Sequence, residues 1–423
     1  MSKWFVEDLR GKIQIKHGFP FKSQFFSNQK SDFIVLTPGN FHEKGGFKRQ
    51  LGKEKYYIGE VPKEYLHSKG DVIVAMTEQA AGLLGSCAKV PESGIYLHNQ
   101  RLGLITTNTD KILKNYIYHL FKIQMVREQI RLTSSGSKVK HTSPEKIYDV
   151  KVPIPSINEQ QNIVTLLDSI DNKIELNNKI NAELEAMAKL IYDYWFVQFD
   201  FPDANGKPYK SSGGKMVYNK ELKREIPDGW GAGNVDKECF VRNGFAFKSE
   251  SYTESGYTII RTKNFKNGSV EFGDIAYISQ TDAKSFKHYE LEKFDFLLVM
   301  VGASLGKNVI VNSNILPALQ NQNMWCVRSK YSVQHFTNQL LKRIIIEQLS
   351  TSSGSAREFF TKEFFKKAKF VNPNIELKKL YCEKVESIFN RIDIIKNENQ
   401  KLTELRDWLL PMLMNGQVTV KDT

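Results

Sequence analysis

The segment Ile15-Lys16-His17-Gly18-Phe19-Pro20-Phe21-Lys22-Ser23 returns as Val241-Arg242-Asn243-Gly244-Phe245-Ala246-Phe247-Lys248-Ser249, displaced by 226 residues. A repeat of so long a period predicts two similar domains in one chain, related by an approximate symmetry. It runs the length of the sequence. Trp4 answers Trp230 at the same displacement. Asn40-Phe41 answers Asn264-Phe265, and Asp71-Val72-Ile73-Val74-Ala75-Met76 answers Asp295-Phe296-Leu297-Leu298-Val299-Met300, both at 224. Leu97-His98-Asn99-Gln100-Arg101-Leu102 matches Leu319-Gln320-Asn321-Gln322-Asn323-Met324 at 222. Thr133-Ser134-Ser135-Gly136-Ser137 matches Thr351-Ser352-Ser353-Gly354-Ser355 at 218. Small loop deletions make the shift fall slowly in this way. Two similar but non-identical faces suit a doubled reader of a doubled object.

Each half divides again by composition. Its first part mixes short runs rich in Val, Ile, Phe and Tyr with Gly, Asn and Ser punctuation, the pattern of many short strands with some helix. The texture then changes. Over 156–199 there is no Gly or Pro, and Ile163, Leu167, Ile170, Ile174, Leu184, Ala188, Ile191 and Trp195 alternate at four and three residues, with Asn177 and Asn181 in the same register. This predicts a long helix with a seam for a partner helix. Tyr381, Val385, Ile388, Ile392, Ile395, Asn399, Leu402 and Leu409 repeat it. Ser156 with Glu159 forms a capping box at the first start. Asn374, 218 positions on and after Pro373, is an equally good N-cap. Forty residues at about 1.5 Å each make a rod of roughly 60 Å, and the second rod is expected to break or kink near Pro411.

The simplest arrangement packs the two rods on each other, with Asn177 or Asn181 paired to Asn399 to fix the register. The alternative is that each rod packs on its own globular domain or on another protein. Spacing leaves parallel and antiparallel pairing open; the antiparallel choice would put the two globular domains at opposite ends. The fold class is α+β.

Sixty Lys and Arg against 47 Asp and Glu leave a net charge of +13, which favours a polyanionic partner. No apolar stretch reaches membrane-spanning length, and Met1-Ser2-Lys3-Trp4 lacks a signal-peptide core. Cys87, Cys239, Cys326 and Cys382 are scattered without a CxxC pair, which fits a reducing cytoplasm. The sequence holds no GxxxxGK[ST] phosphate loop, no Gly-rich turn for an adenosyl cofactor, no tetrapeptide like that of amino-methyltransferases and no HExxH or Cys/His cluster. Neither a catalytic residue nor a resident metal or cofactor is expected; binding remains.

The repeated polar loops are the candidates for DNA contact. Lys22, Ser23, Lys248 and Ser249 offer an ammonium and a hydroxyl to phosphate oxygens, and Gly18 and Gly244 allow close backbone approach. The bland alternative is a turn whose Phe19, Phe21, Phe245 and Phe247 plug the core. The basic loop over 134–141 contributes Ser137, Lys138 and Lys140, and its twin Ser355 and Arg357; the bland alternative there is a solvated connection. Base reading needs bidentate donors and acceptors, which Gln79, Asn99, Gln100 and Arg101 supply in one half and Asn321, Gln322 and Asn323 in the other. The Asn-Gln pair is shared by both halves, so it can equally be frame.

Two divergent globular domains, each followed by a long helix, with repeated GFxFKS-like and SSGS loops, resemble the specificity subunit of type I restriction–modification systems. The resemblance covers nearly the whole chain and rests on architecture more than on one invariant motif. It implies target recognition domains over 1–150 and 216–370, each reading half of a split, asymmetric site in double-stranded DNA. It implies helical conserved regions over 151–215 and 371–423, packed as an antiparallel coiled coil that sets the gap between half-sites. It also implies two modification subunits that bind S-adenosylmethionine and methylate adenine, and restriction subunits that use ATP and Mg, all of that chemistry being on the partners. A docking surface is expected at Tyr192, Tyr194, Trp195, Phe196, Trp408 and Leu409, with intramolecular core as the alternative for the same residues. Two other classes remain in view: a protein-interaction scaffold with incidental charge, and the recognition half of a fused methyltransferase or nuclease.

Overall fold

A computed structural model describes residues 4–78, 82–266, 268–351 and 361–420. The chain forms two compact units, one of Met1–Ile174 with Leu402–Thr423 and one of Glu175–Lys401. Each is a mixture of short strands and helices.

In the first unit the buried run of the strand Val72–Ala75 pairs antiparallel with both Leu102–Thr107 and Cys87–Lys89, and Ile13–His17 closes the other edge. Val72, Ile73, Val74 and Ala75 are all fully buried because both faces of this central strand are covered. One face meets Tyr116, Ile117, Leu120 and Val126 of the helical segments Lys114–Leu120 and Gln124–Leu132. The other meets Leu36, Phe41 and Tyr96 beneath a smaller sheet in which Phe33–Leu36 pairs parallel with Tyr96–His98. A further pair, Phe5–Asp8 with Lys151–Ile154, brings the chain back to the long helix.

The second unit repeats the order of the central four-stranded sheet. Phe296–Val299 lies between Met324–Ser329 and Asn308–Ile310, with Cys239–Asn243 at the edge. Tyr257–Ile260 pairs parallel with Ala318–Gln320, and Gly231–Asn234 pairs with Lys369–Asn372. The sequence repeat is therefore a repeat of topology, down to which strand is central.

Both long helices are 40 residues, Ile157–Phe196 and Ile375–Met414, and start 218 residues apart. Their starts are built as expected. Ser156 Oγ accepts from Glu159 N–H at 3.4 Å while Glu159 Oε2 accepts from Ser156 N–H at 3.1 Å. Asn374 Oδ1 accepts from Leu377 N–H at 2.8 Å. Within the second unit the helices run antiparallel. Asn177 bonds Asn399 at 2.8 Å, Glu185 lies 3.7 Å from Lys396, and Tyr381 Oη donates to the Ala188 carbonyl at 3.0 Å. Within the first unit Arg406 Nη1 pairs with Asp171 at 3.0 Å, and Ile163 and Leu167 share a core with Leu410, Leu413 and Met414.

The expected break at Pro411 does not occur; the second helix continues to Met414. Proline removes one N–H and crowds the carbonyl a turn back, here Asp407. Less than one turn remains beyond it, and its own carbonyl accepts from Asn415 N–H at 3.1 Å.

Candidate nucleic-acid interface

The two glycines at the head of the repeated loops sit against backbone. A Cβ on Gly18 would lie 2.0 Å from the Asn99 carbonyl oxygen, and one on Gly244 would lie 1.8 Å from that of Asn321. Only glycine permits this approach. It lets Phe19 N–H donate to the His98 carbonyl at 3.0 Å and Phe245 N–H to the Gln320 carbonyl at 3.1 Å. The aromatic residues then anchor the loop. Phe21 packs edge-on to Tyr57 at 4.8 Å and Phe247 to Phe286 at 5.0 Å, so the bland reading of these Phe side chains as plugs holds. Lys22 and Lys248 emerge with matching backbones (φ −73°, ψ 132° and φ −78°, ψ 139°). Both are exposed, as are Ser23 and Ser249. Neither lysine has a carboxylate partner among the described residues.

The same geometry gathers the other predicted segments of the first unit. Met76 N–H donates to the Arg101 carbonyl at 2.9 Å, and the Met76 carbonyl accepts from Thr142 N–H at 3.0 Å. The 99–101 loop and the 134–141 loop therefore flank one strand end. Lys140–His141 pairs with Thr77–Glu78, and Gly136 (φ +100°) makes the turn. Gln100, Arg101, Ser137 and Lys138 are exposed and Lys140 is half-buried. In the second unit Met300 N–H likewise reaches the Asn323 carbonyl at 3.3 Å, and Gln322 and Asn323 are exposed, Asn323 at φ +67°. Gln79, Ser355 and Arg357 lie outside the described residues.

Asn99 and Asn321 are bonded into their own loops. Asn99 Oδ1 accepts from Arg101 N–H at 3.0 Å and Asn321 Oδ1 from Gln322 N–H at 2.6 Å; Asn321 is buried. A carboxamide bonded into its own loop is not free to read a base edge bidentately. Sequence reasoning also missed Glu78, whose buried carboxylate accepts three backbone N–H groups, from Gly82, Leu83 and Leu84, at 2.8 to 3.1 Å.

Beneath the first loop lies a buried chain of rings. His67 Nδ1 faces Asp71 Oδ2 at 3.2 Å, its Nε2 faces His98 Nδ1 at 3.0 Å, and His98 Nε2 faces the Lys16 carbonyl at 3.3 Å. Burial first, then the His67 ring, pushes His98 down to about 4. In the second unit Gln320 stands at the place of His98 and bonds the Arg242 side chain at 3.1 Å.

The expected docking residues divide. Tyr192, Trp195 and Phe196 are buried among Tyr381, Phe336 and Trp230 in the core of the second unit, so their assignment to a partner surface is corrected. They belong to the helix face that meets the sheet domain. Leu409 packs partly against the first unit's core, whereas Tyr194 and Trp408 are exposed. With Tyr194 stand Leu176, Met187 and Leu190, all exposed and spaced by 11, 3 and 4 residues, hence on one helix face. Their counterparts 218 residues on are Ile394, Leu405 and Trp408, also exposed; Met412 replaces Tyr194. Leu190 is 65% exposed and Trp408 58%. Exposed apolar residues thus recur at matching positions, Met187 and Leu190 in the second unit and Leu405 and Trp408 in the first. Their signal in the sequence was a set of apolar residues repeating at 218 but off the seam register.

No group of three or more His, Cys, Asp or Glu among the described residues is arranged to hold a metal ion, and no described helix is long and apolar enough to cross a membrane. The family model for the type I restriction modification DNA specificity domain matches residues 1–186 and again 227–404. The chain is 27% identical to the type I restriction enzyme MjaIX specificity subunit of Methanocaldococcus jannaschii, over 74% of this chain and 71% of the relative. It is 24% identical to the EcoBI specificity subunit of Escherichia coli, over 99% and 87%. Among solved structures, the type I restriction–modification S subunit from M. genitalium superimposes with a TM-score of 0.57 at 13% identity, covering 100% of this chain and 97% of that one.

Proposed function

Since the chain belongs to the type I restriction–modification DNA specificity family, as its specificity subunit, we propose that it reads a bipartite, asymmetric site in double-stranded DNA, one half through each unit. The observation that carries this is the doubled loop constellation. Lys22-Ser23 and Lys248-Ser249 leave the same Gly-Phe frame in the same backbone conformation, while the neighbouring exposed residues differ: Gln100 and Arg101 in one unit, Gln322 and Asn323 in the other. Equal frames deliver equal phosphate contacts and unequal side chains read unequal bases.

The chain itself supplies orientation and no chemistry. A target adenine would be flipped into a pocket of a modification subunit, where S-adenosylmethionine is held; ATP and Mg would serve the restriction subunits. The recurrence of exposed apolar residues at matching helix positions, Met187 and Leu190 in the second unit and Leu405 and Trp408 in the first, favours two copies of one partner, each engaging one set. This supports two modification subunits over a scaffold with unrelated partners.

The test is a map of methylated adenines in cells carrying this chain with its modification subunit. A single split motif with unequal halves is expected. An uninterrupted or palindromic motif, or methylation unchanged by deleting the chain, overturns the reading.

A further inference from the structure

We propose that the second unit carries a phosphate-binding cleft, centred on Arg242, that receives one backbone phosphodiester of the bound DNA; this rests on the DNA-reading function above. A cavity of about 520 Å³ lies over the edge strand Cys239–Asn243, lined among others by Arg242, His288, Tyr289, Arg328 and Lys362. Arg242 is held there by neutral acceptors only. Its Nε donates to Gln320 Oε1 at 3.1 Å, Nη2 to the Glu290 carbonyl at 2.9 Å, and Nη1 to the His288 carbonyl. Three of five guanidinium N–H bonds are used. No carboxylate among the described residues pairs with Arg242 or with Lys362.

Arg328, by contrast, is neutralised: it chelates Asp295 at 2.7 and 2.6 Å and reaches Glu292. The cleft therefore keeps an uncompensated positive charge, fixed in orientation, with free donors in a planar fork. That is the geometry that fits a phosphate.

Its position joins it to the reading loop. Asn243, in the cleft wall, precedes Gly244, and Tyr289 packs on Phe245 at 5.3 Å. The first unit shows what the cleft lacks there. Lys16 stands at the place of Arg242, with Tyr65 under it at 4.2 Å, but Glu64 lies 3.5 Å from its ammonium where the second unit has His288. The same site is thus offset by a carboxylate in one unit and left cationic in the other. The two halves of the DNA site would differ by a backbone contact as well as by bases.

Ethylation interference on the mapped target duplex, with the full chain and its modification subunits, tests this. Arg242→Gln is expected to remove one interfering phosphate, in the half-site read by the second unit, and to lower the log–log salt slope by about 0.9. Lys362→Gln, a surface change, should weaken the same phosphate's interference and serves if Arg242→Gln does not fold. Lys248→Ala must remove a different phosphate. If Lys248→Ala acts and neither cleft variant does, the cleft is not a DNA site while the reading function stands. If the wild type shows no interference and no salt slope, the reading function itself fails. Two further results overturn the proposal: unchanged DNA binding with lost modification-subunit binding, which makes the cleft a protein site; and inorganic phosphate binding by ³¹P NMR, abolished by Arg242→Gln without any change in DNA interference.

Discussion

Asn177 Nδ2 donates to Asn399 Oδ1 at 2.8 Å and to Glu398 Oε2 at 2.9 Å, tying the two long helices of the second unit in a seam that also buries Asn181. A buried polar pair in such a seam costs stability and selects one register. Asn177→Leu alone should destabilise by about 1–2 kcal/mol, because Asn399 and Glu398 lose a charge-assisted partner in a half-buried place. Asn177→Leu with Asn399→Leu should recover part of that loss, since Glu398 and Asn178 each still give up one bond. The recovered protein is expected to have lost its unique register. Spin labels at positions 185 and 396, whose charged groups lie 3.7 Å apart, should give one narrow distance distribution by pulsed EPR in the wild-type background and a broader one in the double-Leu background. An equal width would refute the register role.

The repeated loops predict a separation of effects. Lys22→Ala and Lys248→Ala should each weaken binding to all DNA sequences alike and flatten the salt slope by about 0.9. Arg101→Ala or Gln322→Ala should relax one position of the recognised site, at a cost of roughly 1–3 kcal/mol for the preferred base. Gly18→Ala should do something different again: its Cβ, 2.0 Å from the Asn99 carbonyl oxygen, pushes apart the two loops that carry both kinds of contact. Affinity and discrimination should fall together, in fluorescence anisotropy against a panel of single-base variants. Wild-type discrimination in the Gly18→Ala variant would show that the close approach does not position the readers.

The recurrent exposed apolar residues give a stoichiometric prediction. Leu190→Asp and Trp408→Asp lie on corresponding faces of the two helices and touch no core. Each alone should reduce the bound modification subunits from two to one, and the pair together to none, read by native mass spectrometry. Two subunits retained by the double variant would place docking elsewhere.

Much of this architecture was legible in the residues. The 218-residue displacement of two 40-residue helices and their caps followed from spacing, because helix periodicity and capping are local properties, whereas spacing left Asn177 and Asn181 both open as the partner of Asn399. The helix aromatics Tyr192, Trp195 and Phe196 were less legible. A residue on a helix flank is indistinguishable in sequence from one on a docking face until the helix has a sheet domain to pack against, and here Phe336 and Trp230, distant in sequence, cover them. The apolar run at Leu176, Met187 and Leu190 was hidden for the opposite reason: its spacing of 11 and 3 reads as noise beside a regular seam. Asn99 and Asn321 have the chemistry of readers, and only the folded loop shows each side-chain oxygen already accepting a backbone N–H, from Arg101 and Gln322.

The pair His67–His98 sets a pH dependence that the second unit lacks. His98 is fully buried and its folded-state value is pushed from 6.5 to about 4, by burial and then by the His67 ring, with the Lys16 ammonium also opposing charge and the Lys16 carbonyl and Asp71 favouring it. Between these values the unfolded chain binds a proton that the folded protein refuses. Stability from this site is therefore complete above pH 6.5 and is lost as pH falls toward 4, by on the order of 3 kcal/mol in all. His98→Gln installs the residue that the repeat already uses at Gln320, which accepts and donates without titrating. The expected result is a smaller acid-induced loss of stability in the variant than in the wild type, followed by circular dichroism in urea at about pH 7.5 and about pH 4.5. Equal losses in the two proteins would show that His98 is silent. His119 and His335, also held below their ordinary range chiefly by burial, remain in both proteins and supply the shared background, so the difference between the two curves reports the His67–His98 pair.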